Sequence, residues 1–213
     1  MKNLIIIGAS GHGKVLLDTA LCMGIYSEIV FADRNPGLAG KSILGHRVLY
    51  DHGDKRLAEA LPSSCSDVIV AVGHNRTRLK EVRRFKEYGF ALAVLIHPCA
   101  VVSRFANVKE GTVVLANAVV NADAEIGESC IINTSAVVEH DCILEEGVHI
   151  SPGAVMGGNV YIAKGSWVCA GSAIAHNVRI GEYAVIGAGA AVISDIPDNC
   201  LAAGVPAVIK RDY

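Results

Sequence analysis

The chain has 213 residues, a formal charge of −2, 52% hydrophobic residues and 19% charged ones. Such a composition excludes a disordered polymer and provides for one large packed domain or two small ones. The near-neutral balance lacks the basic face that phosphate-rich partners require, so no nucleic-acid partner is expected.

The chain opens on a short apolar run, Leu4 to Ile7, closed by Gly8. Four residues are too few for a signal-peptide core or a membrane span, which gives no membrane insertion and a cytoplasmic location as the expectation. Apolar runs then alternate with helix-like stretches. Helices are expected over 14–23, 54–61 and 76–88, and strands over 28–32, 67–72 and 91–96. Alternation of this kind implies a small parallel α/β sheet covered by helices, a Rossmann-like domain over residues 1–96 that ends near His97-Pro98. Seven cysteines form no CxxC pair and no metal-ligand spacing, so they are read as reduced, mostly buried, with no metal bound.

Three glycine-marked loops fall at the carboxyl edge of that sheet, where open α/β sheets hold ligands. Gly8-Ala9-Ser10-Gly11-His12-Gly13-Lys14 joins the first strand to the first helix, where N–H groups and the helix dipole favour phosphate. Its GxxGxG spacing differs from the dinucleotide GxGxxG, and a ligand-free glycine turn is the alternative. Asp33 closes the second strand as a candidate for ribose or sugar hydroxyls, or as an exposed loop acid. Gly73-His74-Asn75 closes the next strand, either in the pocket or as a helix start with Asn75 as its cap.

From Val102 the period becomes six. An aliphatic residue occupies every sixth position without a miss through Val192, sixteen registers whose chance odds are on the order of 10⁻⁸. A small or β-branched residue follows each by four, from Ala106 to Ala190. Short strands with tight turns at this spacing suit a triangular coil of about 18 residues, and thus a parallel β-helix over 97–213. The segment from Pro197 to Tyr213 is expected to leave the repeat and cover one end.

Within the repeats, Glu139-His140-Asp141 interrupts a bland surface. His140 lies two positions after an inward valine and therefore at an outward turn, with Asp141 able to fix its tautomer and stabilise its cation. One coil later the same column holds Gly158, expected to leave space for a ligand beside the imidazole. His149 falls on another face with Trp167 stacked one coil beyond, and His176 is read as a surface residue.

The two halves together, GASGHGK at the start, LIHP at the join, then NTSAVVEHDC, HISPGA, GNV and DIPDNCLAAGVPA, resemble the nucleotide-aminosugar N-acetyltransferases and the sialic acid O-acetyltransferases. The resemblance covers nearly the whole chain and is nearest to enzymes acting on UDP-4-amino sugars of the N-acetylbacillosamine type. It implies a left-handed β-helix, a homotrimer and acetyl-CoA as co-substrate without metal. It further implies His140 as general base with Asp141 behind it, and acetyl-CoA contacts at His149, Gly158, Ala170 and Ala188. Sugar-nucleotide contacts are implied at Ser10, Gly11, His12 and Asp33. Where some relatives carry a second acid after Asp33, this chain has Arg34, expected to meet a diphosphate.

Other activities share parts of this sequence pattern. A sugar hydroxyl could replace the amine as acceptor, and a non-catalytic nucleotide sensor on a β-helix scaffold has the same sequence features. A carbonic anhydrase on this scaffold predicts an HxxxxH pair, and no two histidines are five apart. A nucleotidyltransferase half is disfavoured by the short first domain and the absence of a GxGTR-type loop.

Overall fold

The computed structural model describes residues 2–61 and 64–212; Met1, Pro62, Ser63 and Tyr213 lie outside the described residues. The chain divides into two units, Met1–Leu95 and Ile96–Tyr213. None of the described helices is long and apolar enough to cross a membrane.

In the first unit, β1 (Lys2–Ile7), β2 (Tyr26–Asp33), β3 (Ser42–Ile43), β4 (His46–Tyr50), β5 (Ser66–Val70) and β6 (Ala91–Leu92) form one sheet in the order β3-β4-β2-β1-β5-β6. All neighbours are parallel except β3 and β4. Helices α1 (Gly11–Met23), α2 (Arg56–Ala60) and α3 (Asn75–Glu87) connect them. Leu4, Ile5, Ile6 and Ile7 are all buried, as a continuous apolar run must be when both faces of a parallel strand are covered. Leu16, Leu17 and Ala20 of α1 and Leu79, Val82 and Phe85 of α3 supply buried helix faces.

Several boundaries differ from the sequence expectation. Helix α1 begins at Gly11, so the end of the glycine loop is already its first turn. The helix expected over 54–61 shrinks to Arg56–Ala60 because Asp54 accepts the Arg56 N–H and guanidinium and holds the entry turn open. The hairpin of β3 and β4 turns through Leu44 and Gly45, both at positive φ, a sharp turn that Gly45 announces and Leu44 does not. The strand expected over 91–96 is two strands. Ala91–Leu92 pairs with β5, whereas Leu95–Ile96 joins a sheet of the repeat unit.

The second unit is a left-handed parallel β-helix of two-residue strands arranged in three sheets. Registered residues are eighteen apart, as in Val119 with Val137, Glu125 with Ile143 and His149 with Trp167. Each inward aliphatic from Val114 to Val192 is buried, and so is each small residue four positions later from Thr112 to Ala190. Those two columns meet inside the prism and form one continuous core. A third column, absent from the hydropathy pattern, makes the corners: every sixth residue from Gly111 to Gly189 has φ between 50° and 71°. Gly, Asn, Asp and Ser fill nearly all of these sites because they tolerate the left-handed region best.

Residues Cys200–Ala203 leave the six-residue period, since Leu201 registers with Val185 sixteen positions earlier, and they lie against the last coil. They pair parallel with Val185–Ile186 and antiparallel with Val208–Asp212, and Ala202 is fully buried under the last coil. The cysteines also divide differently from the expectation. Cys130, Cys142 and Cys200 are buried, Cys169 is intermediate, and Cys22, Cys65 and Cys99 are exposed free thiols.

The core columns carry the stability of the prism, so Ile132→Ala is expected to cost about 2–5 kcal/mol in urea denaturation. Ile143→Ala, on an outward position 46% exposed, is expected to cost less than about 1 kcal/mol.

Candidate functional site

His140 and Asp141 sit at a prism corner after the strand Val137–Val138. Asp141 occupies the left-handed position of that corner, with φ 59°. The bend lets its carboxylate reach back along its own chain, and Asp141 Oδ2 accepts a 2.6 Å hydrogen bond from His140 Nδ1. A carboxylate can only accept here, so Nδ1 carries the hydrogen and Nε2 holds the lone pair. Both side chains are exposed, 62% and 58%, and open to a ligand. The hydrogen bond to Asp141, reinforced by the charges of Asp141 and Glu139, raises the imidazole pKa above its ordinary value of 6.5.

Gly158 does something other than leave an empty space. A Cβ there would lie 2.5 Å from His140 Cε1 and 2.7 Å from Nε2. The imidazole itself fills the room that glycine provides and rests on the next coil. His176, one coil further along that column, is exposed.

His149 and Trp167 stack as registered neighbours, with ring centroids 5.4 Å apart and planes 10° apart. Asn133 Nδ2 lies 3.1 Å from His149 Nε2, and its Oδ1 accepts the Thr134 N–H, which orients the amide as a donor to the ring. Trp167 Nε1 donates to Ser151 Oγ at 2.8 Å. His149 is buried, unlike His140. The strand pair of His149 and Trp167 runs into a different corner, where Ala170 and Ala188 are exposed one coil apart. Ala170 and Ala188 thus share a corner, while Gly158 belongs to the corner of His140. Neither Asn133 nor Ser151 stands out in the sequence, since polar residues are common on turns.

In the first unit the Gly8 loop is tied to the end of β2 by Asp33. Its Oδ2 accepts the Ala9 N–H and its Oδ1 the Asn35 N–H, each at 2.8 Å. Gly13 is required for close approach, because a Cβ there would stand 2.2 Å from the Gly8 carbonyl oxygen. Ser10 precedes α1 without capping it through its side chain, and Ser10 and Gly11 are exposed. His12 Nε2 is buried with no hydrogen-bond partner among the described residues. Burial, followed by the positive charge of Arg78, lowers the His12 pKa to about 4 and keeps the ring neutral.

A cleft of about 180 Å³ lies beside this loop, lined by Gly8, Asp33, Arg34, Asp51, Thr77 and Glu81 among others. Gly73 and Asn75 are not among its walls. His74, not Asn75, caps α3, with Nδ1 accepting the Thr77 N–H. Asn75 is buried and accepts from the buried Arg78, whose guanidinium also donates to the Val72 and Gly73 carbonyls. Arg34 lines the cleft and also takes part in an ion-pair network. Its guanidinium pairs with Glu81 at 3.0 Å and lies 3.7 Å from Asp51, and Arg84 binds the same two carboxylates. Two cations and two anions compensate one another there.

An open imidazole–carboxylate pair on a hexapeptide β-helix, joined to an α/β domain, defines an acyltransferase framework. The comparisons with known proteins agree. Residues 3–85 match the PglD N-terminal domain family, and residues 123–158 and 159–194 match the bacterial transferase hexapeptide family. UDP-N-acetylbacillosamine N-acetyltransferase of Bacillus subtilis is 39% identical over 124 residues, a stretch spanning 54% of the chain and 52% of that protein. The acetyltransferase domain of PglB from Neisseria gonorrhoeae, in complex with acetyl coenzyme A, superposes with a TM-score of 0.93 at 40% identity, covering 98% of this chain and 99% of that one. PerB from Caulobacter crescentus, in complex with CoA and GDP-perosamine, gives a TM-score of 0.91 at 35% identity over 99% and 98% of the two chains. The chain belongs to the hexapeptide-repeat acyltransferase family related to the UDP-N-acetylbacillosamine and perosamine N-acetyltransferases.

The contact between His140 and Gly158 is testable by itself. Gly158→Ala is expected to displace the imidazole and lower kcat by about tenfold or more, because base catalysis depends on sub-ångström placement. The ring is exposed and free to swing outward, so the melting temperature is expected to stay within about 2 °C of the parent. Unchanged turnover in this variant would contradict the placement.

Proposed function

We propose that the chain transfers the acetyl group of acetyl-CoA to the amino group of a nucleotide-linked 4-amino-4,6-dideoxy sugar of the UDP-N-acetylbacillosamine type. The observation that carries this reading is the 2.6 Å hydrogen bond that engages His140 Nδ1 and leaves the Nε2 lone pair for a substrate proton. The amine nitrogen attacks the thioester carbonyl, and His140 Nε2 takes the proton that nitrogen sheds. As the C–N bond forms and the C–S bond breaks, the CoA sulfur leaves and recovers the proton from the imidazolium. No acyl-enzyme is needed. Asp141 stabilises the imidazolium between the two proton transfers, and base catalysis of this kind by His140 contributes about 10²–10⁴-fold.

The acyl donor is assigned to the β-helix, along Gly158 and the corner of Ala170 and Ala188, with the His149–Trp167 stack beside it. The nucleotide is assigned to the Gly8 loop, with Ser10, Gly11 and His12 offering the start of α1 to phosphate and Asp33 turned to the ribose. Gly73 and Asn75 shape the adjoining turn through Arg78 rather than touching the ligand. Use of acetyl-CoA and a nucleotide sugar supports a cytoplasmic location.

We also propose that the working unit is a homotrimer. An outward column of Val101, Val119, Val137, Val155, Ala173 and Ala191 runs the length of one face, with Val101 63% exposed. Solvent-facing strand positions are usually polar, and an unbroken apolar column favours a protein partner. That face is flanked by the His140 corner on one side and the Ala170–Ala188 corner on the other. Packed around a three-fold axis, it brings the base of one copy to the acyl-donor corner of the next.

A thiol-release assay with acetyl-CoA and a panel of nucleotide-linked 4-amino sugars tests the assignment. His140→Ala is expected to lower kcat by about a hundredfold or more with little change in melting temperature. Since the pKa of His140 is raised, kcat/KM is expected to fall as pH drops through a midpoint above 6.5, where the base becomes protonated. Asp141→Asn removes the cause and is expected to move that midpoint to lower pH while lowering the plateau. A midpoint unmoved by Asp141→Asn, or near-parental turnover in His140→Ala, would reject His140 as the base.

A further inference from the structure

We infer that the Arg34 guanidinium is a flat stacking plate for the nucleobase of the substrate and not a phosphate contact. The inference rests on the nucleotide-sugar reading above and assigns a specificity-determining residue within it.

Three observations fix the plate. One edge of the guanidinium is occupied by carboxylates, with Nη2 3.0 Å from Glu81 Oε1 and Nε 3.7 Å from Asp51 Oδ2. One flat side faces Gly53: a Cβ added there would lie 3.7 Å from Nη2, 3.8 Å from Cζ and 3.8 Å from Nε. Near-equal distances to three atoms of the plane put that position over the face of the group, not at its rim. Gly53 stands at φ 80°, held by its N–H on Asp51 Oδ1, and it does not line the cleft, whereas Arg34 does. Arg34 lines the cleft and remains 52% exposed, so its guanidinium keeps a surface open to a ligand.

The charge balance selects the ligand. Asp51 and Glu81 are almost fully buried and pair with both Arg34 and Arg84, so the plate carries no surplus charge toward an anion. A planar guanidinium stacks well on aromatic heterocycles even when its edges are engaged. The rest of the cleft suits a base in the same way, because Ile7, Ala32 and Val72 provide apolar wall and Thr77 a polar group. Asp33, one residue before Arg34 and a wall of the same cleft, stands where the ribose joined to that base would lie. Stacking discriminates little between bases, so Arg34 would confer affinity for nucleotides as a class.

Calorimetry on the full chain with UDP, GDP and inorganic pyrophosphate separates the alternatives. The parent is expected to bind at least one of the two nucleotides. Arg34→Ala and Arg34→Lys are both expected to weaken that nucleotide about tenfold while leaving pyrophosphate within about twofold. Lysine is the decisive variant, since it retains the ion pairs that support the fold and any phosphate contact but has no plane to stack. Nucleotide affinity retained in Arg34→Lys, or pyrophosphate lost in parallel with nucleotide, would overturn the inference. Failure of the parent to bind either nucleotide would instead count against the substrate reading on which it rests.

Discussion

The hydrogen bond between His140 Nδ1 and Asp141 Oδ2 depends on a backbone condition. Consecutive side chains on an extended strand point to opposite faces and do not meet. They meet here because Asp141 lies at a prism corner with positive φ, where the chain reverses within two residues. The same corner recurs every six residues, so the β-helix supplies the bend and the sequence needs only to place a histidine before an aspartate there. Asp141 therefore acts twice, as one of the few residue types that accept a left-handed corner and as the carboxylate that sets the imidazole. Asp123, one coil earlier at the equivalent corner, serves the turn alone and follows Ala122.

The coil period also explains what supports the imidazole. Eighteen residues separate His140 from Gly158, and that spacing stacks one directly on the other. Glycine at the second position lets the ring rest against the next coil while its other side stays open. His149 and Trp167 show the same logic on another face, where two planar rings in register pack nearly parallel. In the first unit a comparable economy appears at the end of β2. Asp33 closes the glycine loop through the Ala9 N–H, and Arg34 turns into a compensated network with Asp51, Glu81 and Arg84.

Much of this is legible in the sequence, and the residues that are not share a physical reason. The period of six exposes the prism because burial selects aliphatics at each inward position. His140 is visible as an imidazole on an otherwise featureless surface. The corner column is hidden because glycine, asparagine, aspartate and serine are also ordinary surface residues, and only the dihedrals unite them. Gly158 is half legible: the spacing places it beside His140 without revealing that the ring itself uses the room. The contacts of Arg34 and Asn75 are hidden for another reason. Their partners Glu81, Asp51 and Arg78 come from other parts of the fold, and pairings set by tertiary structure leave no local pattern. The split of residues 91–96 into two strands of different sheets has the same origin, since an apolar run does not indicate which neighbour it will pair with.

The central claim is that His140 stands at its corner as a neutral base with hydrogen on Nδ1 and the lone pair on Nε2. Nitrogen-15 NMR of the histidine-labelled protein across a pH series reads this directly, with His140→Gln used to assign the signal. The account requires a neutral form protonated at Nδ1, titrating with a midpoint above 6.5. A ring protonated at Nε2, or one that titrates below the ordinary histidine value, would contradict it.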